Sequence, residues 1–198
     1  MIHRQLAFAT AILFSVAIGM SLYAWQLRRG EALNPRPATP AQHVAPPVSG
    51  PTEKAIVWVA HDDPGALRAQ FISIPLAAGR QERAQELMRA LLDIYVDQNS
   101  PHALASGAEI HDVYLVDPGL AVIDVNLAFA DGHTSGILEE ELTVVSMIQT
   151  LAVNTPGLMR VKILVDGKER ETLAGHADLS CFYDVSQVEA LAKQLAAQ

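Results

Sequence analysis

Two strands joined by a tight turn are predicted by the stretch GAEIHDVYLVDPGLAVIDVNLAF, residues 107 to 129. The segments Glu109 to Val116 and Leu120 to Leu127 are rich in the apolar, β-branched residues that favour strands. Between them, Asp117-Pro118-Gly119 supplies a proline that presets one turn residue and a glycine that tolerates positive φ. The stretch therefore predicts a hairpin in the middle of the chain.

Amphipathic helices are predicted on both sides of this hairpin. From Arg80 to Asp97, and again from about Gly136 to Val153, apolar residues recur at three- and four-residue spacing. The second helix carries Glu139, Glu140 and Glu141 in its first turn, where the helix dipole favours a carboxylate. We also predict that Ser135, in the sequence GHTSG, caps this helix rather than acting as a nucleophile.

Further strands and a last helix complete the domain. Two strands precede the first helix, and Arg160 to Val165 is followed by Asp166-Gly167, a typical type I′ turn pair. The order predicts an α+β (mixed α/β) fold, a single-domain sheet with two main helices packed on it and a C-terminal helix. The remaining predicted segments are Ala55 to Ala60, Leu67 to Leu76, Lys168 to Leu173 and the helix Val185 to Ala197.

A transmembrane helix is predicted near the N-terminus. Residues 6–27 contain no charge and span roughly 33 Å as a helix, which matches the hydrocarbon core of a bilayer. Tyr23 and Trp25 lie at one end, and Arg28 and Arg29 follow. A buried core helix or a cleaved signal peptide is the alternative, but Leu22 occupies a position where a cleavage site needs a small residue.

A proline-rich linker separates this anchor from an acidic domain. Residues 30–52 hold six of the 11 prolines, and an extended chain of that length reaches at most roughly 70 Å. The net charge of −8 divides into +3 for residues 1–50 and −11 for residues 51–198, which disfavours nucleic acid as a partner. We predict a transmembrane anchor, a linker, a globular domain and a C-terminal helix at residues 1–29, 30–53, 54–183 and 184–198.

The stretch from Gly107 to Ser180 resembles the GerMN domain, named for sporulation and spore-germination proteins of bacterial envelopes. The likeness rests on the hairpin stretch, on GHTSG at 132–136, and on IQTLAVNTPGLMRVKILVDGKERETLAGHADLS at 148–180, in that order. With the preceding helix it covers nearly all of residues 54–183. The resemblance implies a small α/β domain outside the cytoplasmic membrane, without known catalytic residues and similar to ring-building modules of envelope assemblies.

Three histidine–aspartate groups are the candidates for metal ligation or acid–base chemistry, because imidazole and carboxylate suit both tasks. They are His61-Asp62-Asp63, His111-Asp112 and His176-Ala177-Asp178. Each also fits an ordinary turn or an exposed strand position, and no HExxH-like spacing, phosphate loop or dinucleotide fingerprint occurs. The single cysteine, Cys181, excludes a disulfide framework and multi-cysteine zinc sites. We predict no catalytic, cofactor-binding or metal-ligating residue.

These observations predict a non-enzymatic, single-pass membrane protein with its domain on the extracytoplasmic side, periplasmic or facing the cell wall. We expect it to serve envelope assembly by binding envelope proteins or peptidoglycan, or by self-association, without a cofactor. The alternative is a membrane-tethered, metal-dependent hydrolase that uses the histidine and aspartate clusters.

Overall fold

The computed structural model of the protein describes residues 50–197. The predicted transmembrane segment, residues 6–27, and the predicted linker up to residue 49 lie outside the described residues. Within residues 50–197, no helix combines the length and the hydropathy that a membrane span requires. The described part of the chain belongs to one compact unit that begins at Gly50.

The domain has an α+β fold, in which strands and helices form in nearly the predicted order. Helix α1 and the long helix α3 lie within one residue of their predicted bounds. The elements are β1 (Thr52–His61), β2 (Ala66–Pro75), α1 (Arg80–Val96), β3 (Ile110–Val116), β4 (Leu120–Val125), α2 (Leu127–Asp131), α3 (Ile137–Asn154), β5 (Arg160–Val165), β6 (Tyr183–Asp184) and α4 (Val185–Leu195).

The prediction of one sheet is wrong, because the described residues form two. Strands β1 and β2 make a two-stranded antiparallel ribbon, whereas β3, β4, β5 and β6 form a four-stranded sheet in that order. The outer edge of β1 contacts side chains of α1 and α3 instead of another strand. Asn154 Nδ2 donates to the Ile56 carbonyl at 2.6 Å, Thr150 Oγ1 accepts the Trp58 N–H at 2.9 Å, and the Tyr95 hydroxyl accepts the Ala60 N–H at 2.8 Å. Helical side chains thus complete the edge that a third strand would occupy.

The four-stranded sheet is built on the predicted hairpin. Strand β3 pairs with β4 in antiparallel orientation, and β5 pairs with β4 in parallel after a crossover through α2 and α3. Strand β4 is shorter than predicted, because Asn126 ends it and its side chain accepts the Phe129 N–H at the start of α2. The short strand β6, which the sequence did not predict, pairs with the first two residues of β5.

The turn at Asp166 and Gly167 is confirmed, but the strand predicted after it is wrong. Both turn residues have positive φ, 50° and 71°, as a type I′ turn requires. Beyond the turn only an isolated bridge, Val165 to Lys168, continues the pairing. The segment that follows folds back on itself, since the Leu173 N–H donates to the Ala177 carbonyl and the Leu179 N–H to the Glu171 carbonyl. A loop therefore stands where Lys168 to Leu173 was expected to be a strand.

One apolar core joins both sheets and the helices. Helix α3 is buried over most of its length, so it supplies side chains to the ribbon on one side and to the other helices on the other. Burial of this apolar surface is the main stabilising contribution to such a domain. Fully buried members include Val57 and Val59 of β1, Leu87 and Leu91 of α1, Ile123 of β4, and Leu142, Ile148 and Leu151 of α3.

Candidate functional site

A groove of about 310 Å³ lies between α3, α4 and the loop that precedes β6. This volume lies at the lower end of the range of ligand pockets in proteins. The floor is aliphatic, and polar side chains stand around it. The lining residues are Ile137, Glu141, Val144, Val145, His176, Ala177, Asp178, Cys181, Tyr183, Gln187, Val188 and Leu191.

Helix α4 forms one wall of the groove because its start and its inner face are both fixed. Asp184 caps the helix by accepting the Ser186 N–H at 2.9 Å and the Ser186 hydroxyl at 2.6 Å. Val188, Ala192 and Leu195 are buried in the core. The helix is therefore seated firmly, while Leu191 is only partly buried and borders the groove.

The loop on the opposite wall is held by the carboxylate of Glu140. This side chain is fully buried, yet it is the first-turn carboxylate of α3 that we ascribed to the helix dipole. Its Oε2 accepts the N–H groups of Ala174, His176 and Ala177 at 2.9–3.0 Å, and its Oε1 lies 3.0 Å from His176 Nδ1. Burial alone would raise the pKa of Glu140, but these hydrogen bonds outweigh it and lower the pKa to about 2. The residue is an ionised anchor for the loop.

A second buried charge, Lys162 of β5, holds the remainder of the loop. Its Nζ donates to the carbonyls of Leu179 at 2.9 Å and Ser180 at 2.7 Å, and lies 3.2 Å from a carboxylate oxygen of Glu169. The Tyr183 hydroxyl adds a bond to the Asp178 carbonyl at 2.6 Å. The wall of the groove is thus preorganised by hydrogen bonds to two buried charges, Glu140 and Lys162.

The electrostatics of the groove favour a cation beside an apolar group. Glu141 and Asp178 supply carboxylates at its border. The Ser180 hydroxyl and N–H both donate to Asp178, which lowers the pKa of its carboxyl. An aliphatic floor with carboxylates around it can bind an apolar side chain flanked by a positive charge, without any covalent step.

The first predicted histidine group, His61-Asp62-Asp63, is divided between two environments. Asp62 pairs with the buried ring of His102, whose Nδ1 lies 2.6 Å from Asp62 Oδ1. Nε2 of His61 is buried without a hydrogen-bond partner, and burial followed by the charge of Arg68 lowers the pKa of this histidine. His61 and Asp62 therefore have different surroundings and do not form a shared site for a metal ion.

The other two predicted groups lie elsewhere and have different neighbours. Nδ1 of His111 is 3.8 Å from Asp124 Oδ2 and 3.9 Å from Asp166 Oδ1. His176 faces Glu140, as described above, and Asp178 bonds to Ser180. Within residues 50–197, no group of three or more histidine, cysteine or acidic side chains could hold a metal ion. The structure therefore does not bring the three groups together.

Ser135 does not cap α3, so that prediction is wrong. Gly136 occupies the N-cap position and makes no side-chain capping bond, while Ser135 Oγ lies 3.5 Å from His176 Nδ1. Cys181 is exposed and lines the groove, with its Sγ 3.6 Å from the Asp178 carbonyl oxygen. Neither side chain has the hydrogen-bonded general base that nucleophilic catalysis needs at short range.

A buried polar cluster that the sequence did not predict is centred on Thr143 of α3. Its hydroxyl oxygen lies 2.6 Å from Nε2 of His102 and 2.7 Å from Nε2 of His133. Nδ1 of His133 donates to the Thr134 carbonyl at 2.7 Å, and the Thr143 hydroxyl donates to the Glu139 carbonyl at 3.1 Å. All three side chains are buried, which gives the cluster a structural role. No sequence spacing indicated it, because His102 lies in a loop 41 positions before Thr143.

Comparison with known proteins identifies relatives of this domain. Residues 57–171 match the family model described as Germane: Sporulation and spore germination. The tandem GerMN domains of the sporulation protein GerM from Bacillus subtilis are similar in structure, with a TM-score of 0.51 and 17% identity over 69% of this chain and 48% of that one. The chain thus spans about half of the tandem structure.

A second solved structure gives a weaker likeness. The first GerMN domain of the same Bacillus subtilis protein has a TM-score of 0.47 and 18% identity, over 65% of this chain and 93% of that one. No curated protein matches the chain in sequence.

Proposed function

The chain belongs to the Germane family, the GerMN-domain proteins of sporulation and spore germination, and from this premise we propose that it is a non-enzymatic binding module of the cell envelope. Residues 6–27 anchor it in the cytoplasmic membrane, and the domain stands on the extracytoplasmic side. There the α3–α4 groove binds a protein partner during envelope assembly.

The uncharged run of residues 6–27 and the proline-rich stretch after it support the proposed location. Residues 1–50 carry a net charge of +3, which suits a surface of anionic lipids, whereas residues 51–198 carry −11. A linker of this length allows such an acidic domain to stand farther from the membrane surface than the Debye length, which is about 8 Å at physiological ionic strength. This arrangement leaves the groove open to partners in the envelope.

The groove itself is the observation that carries the binding role. Val144, Val145 and Leu191 offer an aliphatic surface, and Glu141 and Asp178 offer negative charge beside it. We therefore expect the partner to insert an aliphatic side chain next to a lysine or arginine. Among the residues lining this groove, Tyr183 is the one phenylalanine, tyrosine or tryptophan. Stacking on sugar rings is thus poorly provided for, which favours a protein over the glycan strands of peptidoglycan.

Photo-cross-linking from the groove tests this proposal in cells that make the full-length protein. A photoreactive amino acid replaces Gln187, which lines the groove, and in a control replaces Gln194, an exposed glutamine of the same helix outside the groove. We expect a discrete protein adduct from position 187 only, and its loss when Glu141→Lys is added. Equal labelling from both positions, or adducts with glycan alone, would contradict a protein partner at this groove.

A reporter enzyme fused after Gln198 tests the location. A reporter that is active only outside the cytoplasm should be active in this fusion, and a cytoplasmic reporter at the same place should show the complementary loss. Activity of the cytoplasmic reporter would refute the proposed topology.

The geometry among the described residues does not favour the metal-dependent hydrolase, since the three histidine groups lie apart with different neighbours. Metal analysis of the purified protein decides the point directly. We expect no stoichiometric metal and an unchanged melting temperature in the presence of a chelator. A bound metal whose removal unfolds the domain would restore the alternative.

A further inference from the structure

The β1–β2 ribbon has one open edge. The Leu76 N–H bonds to the Pro51 carbonyl, and from there hydrogen-bonded pairs alternate along the ribbon, as in any antiparallel ladder. The N–H and C=O groups of Leu67, Ala69, Phe71 and Ser73 therefore point away from β1. Leu67 is itself buried, so its groups are not open to another strand. We call the groups of Ala69, Phe71 and Ser73, with the carbonyl of Pro75, the outer edge of β2. Throughout residues 50–197, β1 is the single strand with which β2 pairs.

The two edges of this ribbon differ in whether their outward backbone groups have hydrogen-bond partners. On β1 the corresponding outward groups bond to Asn154, Thr150 and Tyr95, as described for the fold. On β2 the residues from Arg68 to Phe71 and Ser73 are exposed, and Phe71 is 80% exposed. The outer edge of β2 therefore remains available for strand pairing.

The outer edge of β2 lacks most of the devices that proteins use to prevent edge pairing. Such devices are inward-pointing charges, bulges, prolines within the strand and covering elements. The pairing of β2 with β1 runs without a register shift over ten residue pairs. Its one charge is Arg68, and its one proline, Pro75, stands at the end of the strand. A regular, almost neutral edge is a template for another strand.

We propose that the outer edge of β2 pairs, in antiparallel orientation, with the same edge of a second copy of this chain, about a twofold axis at Phe71. Phe71 is the middle one of the three exposed outward residues that carry both an N–H and a C=O group, Ala69, Phe71 and Ser73. In this register Phe71 lies opposite the partner's Phe71, and Ala69 lies opposite the partner's Ser73. Ala69, Phe71 and Ser73 of both copies then enter one continuous ladder.

Charge opposes a second copy least at this edge. The domain is strongly acidic, so two copies repel each other over most of their surfaces. The outer edge of β2 carries no acidic residue, and the proposed register places Arg68 opposite the partner's Ile74 rather than opposite another charge. The two exposed Phe71 rings lie side by side at the axis and shield each other from water. Because β1 offers no second open edge, the assembly closes as a dimer and does not extend into a filament.

Disulfide cross-linking tests the register in membranes that contain the full-length protein. Cys181→Ser removes the native thiol, and single cysteines are then introduced by Phe71→Cys, Ala69→Cys and Ser73→Cys. In the proposed register residue 71 faces its own copy at about 5.5 Å between Cα atoms, within disulfide range. Residue 69 lies roughly 14 Å along the strand from its own copy, beyond that range.

We expect rapid oxidative dimerisation of the Phe71→Cys protein and slow dimerisation of Ala69→Cys or Ser73→Cys alone. Coexpression of the last two variants, with distinguishable tags, should give a mixed dimer. A cysteine at exposed Ala190 on α4 supplies the background rate. Cross-linking at residue 71 no faster than this background, or preferential self-cross-linking at 69 or 73, would overturn the proposal, as would an adduct with a different protein.

A variant without cysteine chemistry gives an independent measurement. Phe71→Lys places two like charges opposite each other at the axis, while the exposed side chain leaves the fold intact. Sedimentation of the detergent-solubilised full-length protein should show a dimer for the unaltered chain and a monomer for the variant, with equal circular dichroism spectra. A monomer in both cases, at concentrations where cross-linking is also absent, refutes the dimer. The groove experiment does not depend on this result, because Gln187 lies outside β2.

Discussion

Glu140 Oε2 accepts the backbone N–H of Ala177 at 2.9 Å, which ties the first turn of α3 to the loop that forms the far wall of the groove. The same oxygen accepts two further N–H groups of this loop. The position of this part of the wall therefore depends on one buried carboxylate, whose loss should lower the stability of the domain and disturb the groove.

Replacing this carboxylate by an amide should destabilise the domain. In Glu140→Gln the side-chain NH₂ group replaces an acceptor oxygen and faces backbone N–H groups, whose hydrogen bonds it cannot accept. We therefore expect the free energy of unfolding to fall by about 3 kcal/mol at pH 7. The pKa of Glu140 is lowered from 4.5 to about 2 in the folded state, so its contribution is complete above pH 4.5 and is lost as the pH falls towards 2. Urea unfolding should show a smaller difference in the free energy of unfolding between this variant and the unaltered protein at pH 3 than at pH 7. Glu141→Gln, at the groove border, is the control, and an equal loss in both variants would contradict the anchoring role.

Removal of the buried cation should loosen the other part of the same loop. Lys162→Met retains the aliphatic stem but leaves the Leu179 and Ser180 carbonyls without their donor, at a cost of about 2 kcal/mol. Hydrogen exchange of amides in residues 178–182 should accelerate in this variant. Lys168→Met, at an exposed position, should change neither the stability nor the exchange rate. Unchanged exchange in the Lys162 variant would show that the loop is held by other contacts.

Loss of the Thr143 hydroxyl should destabilise the domain. Thr143→Val keeps the shape of the side chain but removes the group that both imidazoles contact, so we expect a loss of about 2 kcal/mol. Thr143→Ser keeps the hydroxyl and should lose less, although it leaves a small cavity. Thermal unfolding of the two variants measures the difference. A serine variant less stable than the valine variant would assign the role of Thr143 to packing.

The stability of the domain should decrease below about pH 6.5. Burial lowers the pKa of His133 from 6.5, an effect that the hydrogen bond to the Thr134 carbonyl opposes and the nearby His102 reinforces. The unfolded chain therefore binds a proton at a higher pH than the folded chain, and stability falls as the pH drops from 6.5 towards the lowered pKa. Urea unfolding between pH 8 and pH 5 should show a shallower slope for His133→Asn than for the unaltered protein. Identical slopes would mean that His133 does not titrate differently in the two states.

The turn after β5 should tolerate no side chain at its second residue. Gly167 has a φ of +71°, and its N–H donates to Asp124 Oδ1 at 2.7 Å. A valine there adopts strained backbone geometry, so Gly167→Val should cost about 2 kcal/mol. Gly79→Ala is the control, because that glycine has an extended backbone and there is open space where a Cβ would lie. Equal melting temperatures for Gly167→Val and the unaltered protein would remove the claim.

Sequence patterns predicted the elements of this fold that depend on residues close together in the chain. Apolar periodicity located α1 and α3, and the Asp166-Gly167 pair identified its turn, because both depend on neighbouring residues alone. The division into two sheets depends on Asn154 reaching Ile56, and no pattern near either residue indicates that contact. The boundaries of the anchor and the linker remain predictions from the sequence.

The candidate site was less accessible to sequence reasoning. Glu140 looked like an ordinary first-turn carboxylate, and no pattern singled out Lys162, because their partners are backbone groups of a distant loop. The groove forms only when α4 returns to pack beside α3. The histidine groups were visible in the sequence, but adjacency along the chain did not predict which carboxylate each ring would meet.

The side chains that complete the edge of β1 impose an order on folding. Trp58 and Ile56 are separated from Thr150 and Asn154 by 92 and 98 positions, so these contacts form only after most of the domain has been made. Until then the ribbon can assemble from adjacent residues, but it exposes both edges to other chains. The newly made protein should therefore be most prone to misassociation before α3 emerges, and a chaperone that covers strand edges would act in that interval.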